Sequence, residues 1–283
     1  MSNIDLKTST EPEYKQRIRE SLKFIPHRIM IISGKGGVGK STVATNLAFG
    51  LTIYGEEVGL LDLDIDGPNV PRMLGIADEK PTIDEEKQEI YPIYIPIGHN
   101  HGMKVMSMAL LVEHGKAVIW RGPLKTNLIY EFLGNVSWGK LDYLVVDLPP
   151  GTGDEPLTLA QNIPDCAVIV VTTPQDVSLM DARRAVNFAR TLNLPVIGMV
   201  ENMSGSLKCP QCGKPIELFG EGGGKRAAEE LGVPFLGSIP VDIGIVEDCD
   251  AGKPHILFHD DSPTAYAFKE IVKRVQSFFR QDQ

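Results

Sequence analysis

The chain has 283 residues; 42% are hydrophobic and 23% are charged, the composition of an ordinary globular protein. Lysine and arginine total 28 against 37 aspartates and glutamates, so the net charge of −9 disfavours a general binder of nucleic acid or of anionic membranes. No run of about 18 apolar residues occurs, the N-terminus is polar, and four cysteines are too few for a disulfide scaffold. We therefore expect a cytoplasmic protein with neither nucleic acid nor membrane among its partners.

Short apolar runs alternate with helical patterns after a charged, partly helical lead-in at residues 1–25. The predicted strands are Ile29–Ile32, Val58–Leu61, Tyr143–Val146, Ala167–Val171, Val196–Val200 and Phe235–Ile239. The predicted helices are Lys40–Tyr54, Leu124–Leu133, Ser178–Leu192, Gly224–Leu231 and Thr264–Phe279. This alternation predicts an α/β fold with a mainly parallel, twisted sheet and helices on both faces, in one domain over residues 26–283. Residues 202–224, rich in Gly, Pro and Cys, are predicted to form an excursion from that domain.

A phosphate-binding loop is predicted between the first strand and the first helix. Gly34-Lys-Gly-Gly-Val-Gly-Lys-Ser41 matches the pattern G-x-x-x-x-G-K-[ST]. Its glycines allow successive backbone N–H groups to point at a phosphate, and the helix N-terminus adds a positive partial charge. We expect Lys40 to reach the β- and γ-phosphates of ATP and Ser41 to hold Mg²⁺. The residues predicted to bind nucleotide here are Gly34, Lys35, Gly36, Gly37, Val38, Gly39, Lys40, Ser41 and Thr42.

Lys35 is a second lysine inside this loop, and a phosphate cradle does not require it. One interpretation is a solvated loop lysine. The other is a cation that stabilises transition-state charge as an arginine finger does, in the site of a neighbouring subunit.

Carboxylates stand at the ends of two further predicted strands. Asp62, Asp64 and Asp66 alternate after one of them, and Asp147 ends another. Unpaired buried charges are costly, and the carboxyl ends of parallel strands face the ligand crevice. We therefore predict that Asp62 and Asp147 serve Mg²⁺ together with Ser41, and that the loops after them respond to the γ-phosphate.

Cys209 and Cys212 have the C-x-x-C spacing of a metal-binding pair. A [4Fe–4S] cluster or a structural zinc site takes four thiolates, so one pair is half a site. Cys166, at the start of an apolar strand, and Cys249 are interpreted as structural. A two-fold homodimer would then complete the set with two pairs. Residue types leave iron–sulfur and zinc open, and the spacing by itself favours zinc.

Lys35 within the phosphate loop and the aspartate motifs together resemble the deviant Walker-A ATPases, the group that includes MinD, ParA, the arsenite-pump ATPase and the nitrogenase iron protein. Four further motifs narrow the likeness within that group. They are Asp64-Ile-Asp-Gly-Pro-Asn-Val-Pro-Arg-Met-Leu-Gly75, Trp120-Arg-Gly-Pro123, Asp147-Leu-Pro-Pro-Gly-Thr-Gly-Asp154, and Val200-Glu-Asn-Met203 followed by Cys209-Pro-Gln-Cys212. With these motifs the chain resembles the Mrp/ApbC family of iron–sulfur cluster carriers over residues 25–280.

The resemblance implies a homodimeric ATPase that carries an iron–sulfur cluster to apo-proteins. Lys35 would contact nucleotide across the dimer, Asp64 would position the attacking water, and Asn202 would contact adenine. A [4Fe–4S] cluster would bridge two subunits through Cys209 and Cys212. The residues expected to be catalytic are Lys35, Lys40 and Asp64. Zinc remains the alternative metal at the two cysteines.

Three other functions stay open. A MinD/ParA-like positioning ATPase would bind membrane or DNA when ATP-bound, which the net charge and the cysteine segment disfavour. Its terminal amphipathic helix would hold the membrane, whereas here we expect the apolar stripe of residues 264–279 to pack on the core. The second is a zinc-stapled P-loop ATPase without cluster transfer. The third is a reductase that resembles the nitrogenase iron protein and couples hydrolysis to electron transfer.

Overall fold

The computed structural model describes residues 12–65, 67–98, 101–111, 122–209 and 211–280. Its helices are α1 (Glu13–Leu22), α2 (Lys40–Ile53), α3 (Val70–Met73), α4 (Gly122–Asn135), α5 (Asp154–Asn162), α6 (Asp176–Thr191), α7 (Gly223–Leu231), α8 (Ile243–Asp250), α9 (His255–Phe258) and α10 (Pro263–Arg280). Its strands are β1 (His27–Ile32), β2 (Val58–Asp62), β3 (Thr82–Asp84), β4 (Glu89–Tyr91), β5 (Ile93–Ile97), β6 (His101–Ser107), β7 (Tyr143–Asp147), β8 (Cys166–Thr172), β9 (Val196–Ser204), β10 (Ser206–Lys208), β11 (Pro215–Glu217) and β12 (Phe235–Pro240). Asp66, Trp120 and Arg121 lie outside the described residues.

Eight of the described strands form one sheet in the order β12-β9-β8-β1-β7-β2-β6-β5. Adjacent strands of this sheet pair in parallel, except that β5 runs antiparallel to β6 at the edge. The inner strands β2, β7 and β8 are buried at every residue, which is why their sequences are unbroken apolar runs that end in a polar residue. The predicted α/β fold with a mainly parallel sheet is confirmed.

The two faces of the sheet carry separate hydrophobic cores, as alternating side chains along β1 show. Met30 and Ile32 pack into the core that α1, α4, α5, α6 and α7 cover. Ile29 and Ile31 pack into the core beneath α2, α9 and α10. Ile271, Val272 and other apolar residues of α10 are fully buried there, so the expectation that this helix packs on the core is confirmed.

The six predicted strands and five predicted helices all exist, but several elements were missed. The edge strand β5 and its neighbour β6 interleave apolar residues with Tyr, Pro and Lys. Among the described residues β5 has no partner strand on one flank, which permits polar side chains there. The hairpin β3–β4 and the short helices α3 and α9 have three or four residues each, too few for a periodic signal.

The excursion predicted at 202–224 is a small antiparallel hairpin, β10–β11, inserted between β9 and α7. The N–H of Gly205 donates to the carbonyl of Gly220 at 2.9 Å and closes its base. None of the described helices is both long and apolar enough to cross a bilayer.

Candidate nucleotide and metal sites

The phosphate-binding loop follows β1 at the carboxyl edge of the sheet and leads into α2. It borders a cavity of about 410 Å³, a volume within the usual range for small-molecule sites. Predicted site residues on its wall are Lys35, Gly36, Gly37, Gly39, Lys40, Ser41, Thr42 and Asp64. The rest of the wall is Ser33, Asn69, Arg72, Met73, Pro150, Cys249 and Asp250. The three residues expected to be catalytic therefore face one cavity.

The loop adopts a backbone shape that requires glycine. Gly37 and Gly39 have φ angles of 79° and 83°, in the left-handed region, and such turns form concave sites for anions. A Cβ at Gly39 would also lie 2.1 Å from Nδ2 of Asn202. A side chain at this position would both strain the backbone and collide with β9.

Gly34 and Val38 of the loop, and Asn202 of β9, do not line the cavity. A Cβ at Gly34 would sit 2.1 Å from the carbonyl oxygen of Asp181, so α6 packs directly on the backbone there. Asn202 is 5% exposed, and its amide donates to the carbonyl of Val38 at 2.9 Å. Asn202 thus supports the loop from behind in this structure, and its contact with adenine stays a prediction.

Lys40, on the cavity wall, forms a buried ion pair with Asp147. Nζ of Lys40 lies 2.5 Å from Oδ1 of Asp147, with side chains 6% and 0% exposed. Burial raises the pKa of Asp147, while Lys40 and a hydrogen bond from Ser41 favour the charged carboxylate. The other oxygen, Oδ2, is buried with no hydrogen-bond partner within the described part of the chain. An unpartnered carboxylate oxygen beside a serine hydroxyl suits Mg²⁺, so Asp147 and Ser41 fit the predicted ion.

Asp62 is completely buried beside Asp147, its register partner on the neighbouring strand. Its Oδ2 accepts hydrogen bonds from Oγ of Ser107 (2.9 Å) and the N–H of Val70 (3.3 Å). Its Oδ1 accepts one from the N–H of Asp64 at 3.1 Å. Burial, followed by the charge of Asp147, raises the pKa of Asp62 to about 8. Asp62 therefore organises the loop that presents Asp64, and its place as a magnesium ligand stays a prediction.

Two parts of the cavity wall were missed by sequence reasoning. Arg72 of α3 and Asp250 of α8 face each other across 3.8 Å. Arg72 belongs to the motif that begins at Asp64, which is the signal that would have found it. Nothing in the sequence linked α8, 180 residues further on, to the same cavity.

Cys209 and Cys212 lie at the tip of the hairpin, the first half-buried and the second exposed. The sulfur of Cys209 accepts hydrogen bonds from the backbone of Cys212 and of Gln211. These bonds, the one from Cys212 first, lower the pKa of the Cys209 thiol and so favour the thiolate that binds metals. Among the described residues, no third Cys, His, Asp or Glu places a ligand atom with this pair. One chain therefore supplies an accessible half-site.

The thiols of the other two cysteines have raised pKa values and therefore ionise less easily. Cys166 is buried in β8, as expected for a core residue, and burial raises its pKa to about 12. Burial also raises the pKa of Cys249 to about 11, but this residue lies on the wall of the nucleotide cavity.

Comparison with known proteins identifies the family. Residues 24–276 match the family model described as "NUBPL iron-transfer P-loop NTPase". The chain belongs to this family. An iron–sulfur cluster carrier protein of Methanocaldococcus jannaschii is 49% identical over 261 residues, 92% of this chain and 87% of that protein. One from Synechocystis is 42% identical over 97% of this chain and 78% of its own length. The resemblance to iron–sulfur cluster carriers is confirmed.

Solved structures agree with the fold of this iron-transfer P-loop NTPase. A nucleotide-binding protein of Archaeoglobus fulgidus, in complex with ADP and with cobalt, is 36% identical with a TM-score of 0.73, over 89% of this chain and 95% of that one. The cell division ATPase MinD of Pyrococcus furiosus has a TM-score of 0.63 at 24% identity, over 90% and 100% of the two chains. The likeness to MinD concerns the fold alone.

Glu201 anchors the cysteine hairpin of this iron-transfer P-loop NTPase next to the residue that supports the phosphate loop. It is completely buried, and its carboxylate accepts hydrogen bonds from the N–H groups of Gly222 (2.9 Å) and Gly224. It also accepts one from Oγ of Ser204. Both ends of the hairpin segment are thus fixed to the residue that precedes Asn202. Residues 201–204 contact the phosphate loop on one side and hold the hairpin on the other.

Proposed function

We propose that this chain is an ATP-hydrolysing iron–sulfur cluster carrier that works as a homodimer. The observation that carries the proposal is the accessible Cys209–Cys212 half-site in a chain that also has a phosphate-binding loop. Two copies related by a two-fold axis would supply the four thiolates of one [4Fe–4S] cluster. A cluster held between two surface hairpins would be accessible to apo-proteins, its proposed recipients.

ATP would bind with its phosphates in the loop and its Mg²⁺ at Ser41 and Asp147. Lys40 would leave Asp147 and pair with the β- and γ-phosphates, since it lies on the cavity wall as well as beside Asp147. Asp64, half-buried on the wall, would orient the attacking water. Lys35 would stabilise charge on the transferring phosphoryl group across the dimer. These roles follow the family resemblance, and the shared cavity is consistent with them.

The two sites would communicate through residues 201–204. Because Asn202 supports Val38 and Glu201 anchors the hairpin, a shift of the loop on ATP binding would move the cysteines. Nucleotide would in this way set the distance between the two cysteine pairs and gate cluster loading or release. An exposed reduced thiol pair also fits the cytoplasm, where thiols stay reduced.

Zinc is the alternative metal for the cysteine pair. Backbone hydrogen bonds to a cysteine sulfur and a tight turn would suit a zinc knuckle as well as a cluster. In that case the pair would be a structural staple, and the chain would be an ATPase without cluster transfer.

Anaerobic reconstitution with iron and sulfide, followed by metal analysis, tests the proposal. We expect about four irons and four sulfides for every two chains in the wild type and none in Cys209→Ala/Cys212→Ala. Cys249→Ala is the matched control, because it removes a thiol from the cavity and leaves the hairpin unchanged; it should bind the same amount. Stoichiometric zinc without sulfide after reconstitution would contradict the proposal.

A further inference from the structure

Two histidines and an aspartate meet at the corner between α8 and α9, away from the cysteine hairpin. Oδ2 of Asp248 lies 2.8 Å from Nδ1 of His255 and 3.2 Å from Nε2 of His259. The three ligand atoms all lie within 4.8 Å of one another. The two imidazole rings are stacked, with centroids 4.9 Å apart. A structural Asp–His pair needs one imidazole, whereas here two ring nitrogens converge on one carboxylate oxygen.

These spacings are close to those of a metal centre. A tetrahedral zinc ion with bonds of about 2.0 Å separates its ligand atoms by about 3.3 Å, so small side-chain movements would admit an ion between the three. Two imidazoles with one carboxylate are a ligand set for zinc, cobalt or ferrous iron. Mg²⁺ and Ca²⁺, which prefer oxygen ligands, fit the set poorly.

The surroundings of His255 also have the pattern of a metal ligand. The ring nitrogen of His255 that faces away from Asp248, Nε2, lies 3.1 Å from Oγ of Ser262 and 3.5 Å from Oδ2 of Asp242. Metal-bound histidines commonly donate their second ring N–H to such an oxygen, which fixes the ring and leaves the other nitrogen free for the ion. His255 is 2% exposed, while the side chain of His259 is 50% exposed. The site is therefore held from inside and open to solvent on one side.

We propose that Asp248, His255 and His259 bind one divalent first-row transition-metal ion in each chain. The three side chains supply three ligands, and the open side leaves a position for water. This site is separate from the cysteine pair and needs no second subunit.

The ion would fix a corner that borders the nucleotide cavity. Asp248 is followed directly by Cys249 and Asp250, which lie on the cavity wall. The N–H of Ile256, next to His255, donates to Oδ1 of Asn46 in α2, the helix that begins at the phosphate loop. A bound ion would thus stabilise the packing of α8 and α9 against the nucleotide site.

A Co²⁺ titration tests this site in a Cys209→Ser/Cys212→Ser background, which removes the competing thiolates. We expect one equivalent of Co²⁺ per chain at micromolar concentration, with visible bands of nitrogen and oxygen ligation and a rise in melting temperature. In the same background, His259→Gln should weaken binding at least tenfold and abolish the rise. His101→Gln, a change at another half-exposed histidine, should leave both unchanged.

Three results would overturn the proposal. The first is no binding to the Cys209→Ser/Cys212→Ser protein at 100-fold excess of Co²⁺. The second is equal binding with and without the added His259→Gln change. The third is sulfur-to-cobalt charge-transfer bands, which would place the ion at Cys166 or Cys249. His259 is the residue to change because its side chain is half exposed, so the variant should stay folded. Circular dichroism of the metal-free variant checks this directly.

Discussion

At the scale of single residues, the Lys40–Asp147 pair has two tasks. Without nucleotide the two charges neutralise each other inside the protein, where an unpaired charge is costly. In the function proposed above, Lys40 would exchange Asp147 for the phosphates when ATP enters the cavity, and the carboxylate would become free for Mg²⁺. The pair would then link the stability of the nucleotide-free protein to its readiness to bind ATP.

Removal of Lys40 alone should destabilise the fold. Lys40→Met leaves the Asp147 carboxylate buried without its cation, so we expect the free energy of unfolding to fall by about 3–5 kcal/mol in urea titrations. The double variant Lys40→Met/Asp147→Asn no longer buries a charge and should recover part of that loss. A double variant less stable than Lys40→Met would contradict this account of the pair.

Lys35 should matter for hydrolysis and little for folding. It is half-buried on the cavity wall, and the Lys35→Ala variant should keep its free energy of unfolding within about 0.5 kcal/mol. ATP hydrolysis should fall by about 10³-fold or to the detection limit, as loss of a charge-stabilising cation does. Lys225→Ala, on the exposed surface of α7, is the control. Unchanged hydrolysis in Lys35→Ala would make Lys35 a solvated loop lysine.

At the scale of elements, an aromatic cluster joins β1, β7 and α10. The ring of His27 lies 4.9 Å from that of Tyr143 and 4.5 Å from that of Phe279. Burial lowers the pKa of His27 despite the opposing charges of Glu56 and Asp142. Protonation of this histidine therefore acts against the packing of the terminal helix.

The stability of the protein should depend on pH through His27. Its folded-state pKa lies below the ordinary 6.5, so the unfolded chain binds the proton more tightly. This part of the free energy of unfolding is complete above pH 6.5 and falls as the pH drops through 6.5 toward the folded-state pKa. His27→Phe keeps a ring in the cluster and should lose less stability than wild type between pH 7.5 and 5.5 in urea titrations. Equal losses would contradict this role.

Glu201 should control the order of the hairpin. Glu201→Ala leaves the N–H groups of Gly222 and Gly224 without their acceptor, at a cost of about 1–3 kcal/mol for each that stays buried. We expect faster amide hydrogen exchange over residues 205–222 and weaker cluster retention. Glu217→Ala, on the exposed strand β11, should change neither. Unchanged exchange in Glu201→Ala would show that the hairpin is held by other contacts.

Sequence reasoning succeeded where one short segment carries its own signal. The sequence was sufficient to find three features, because each is a local pattern with a fixed spacing. They are the loop at 34–41, the aspartates at strand ends and the C-x-x-C pair. Arg72, Glu201 and the corner of Asp248 and His255 were missed, because their roles depend on contacts between segments far apart in the chain. The amide of Asn202 supports the loop in this structure, which the sequence did not indicate, and its contact with adenine stays a prediction.

At the scale of the whole molecule, one chain combines the cavity of the phosphate-binding loop with one pair of cysteines at a hairpin tip. The cavity is lined by the loop, α3 and α8 of a single chain, whereas the hairpin supplies two thiolates. Under the proposed function both sites would require a second copy, the cluster for two further thiolates and hydrolysis for a Lys35 supplied across the dimer.

Hydrolysis and cluster transfer should be separable from cluster binding. Asp64→Ala removes the group proposed to orient water and leaves the hairpin intact, so we expect full cluster content with hydrolysis and transfer to an apo-ferredoxin both lost. Asp261→Ala, an exposed carboxylate outside both sites, should behave as wild type. Normal transfer by an Asp64→Ala variant that no longer hydrolyses ATP would show that hydrolysis does not drive delivery.

Native mass spectrometry of the anaerobically reconstituted protein tests the central claim most directly, because it reports subunits and cargo in one mass. The account predicts a dimer that carries one [4Fe–4S] cluster, and monomers without a cluster when Cys209 and Cys212 are both replaced by alanine. A monomer that retains a complete cluster, or a dimer with zinc and no sulfide, would contradict it.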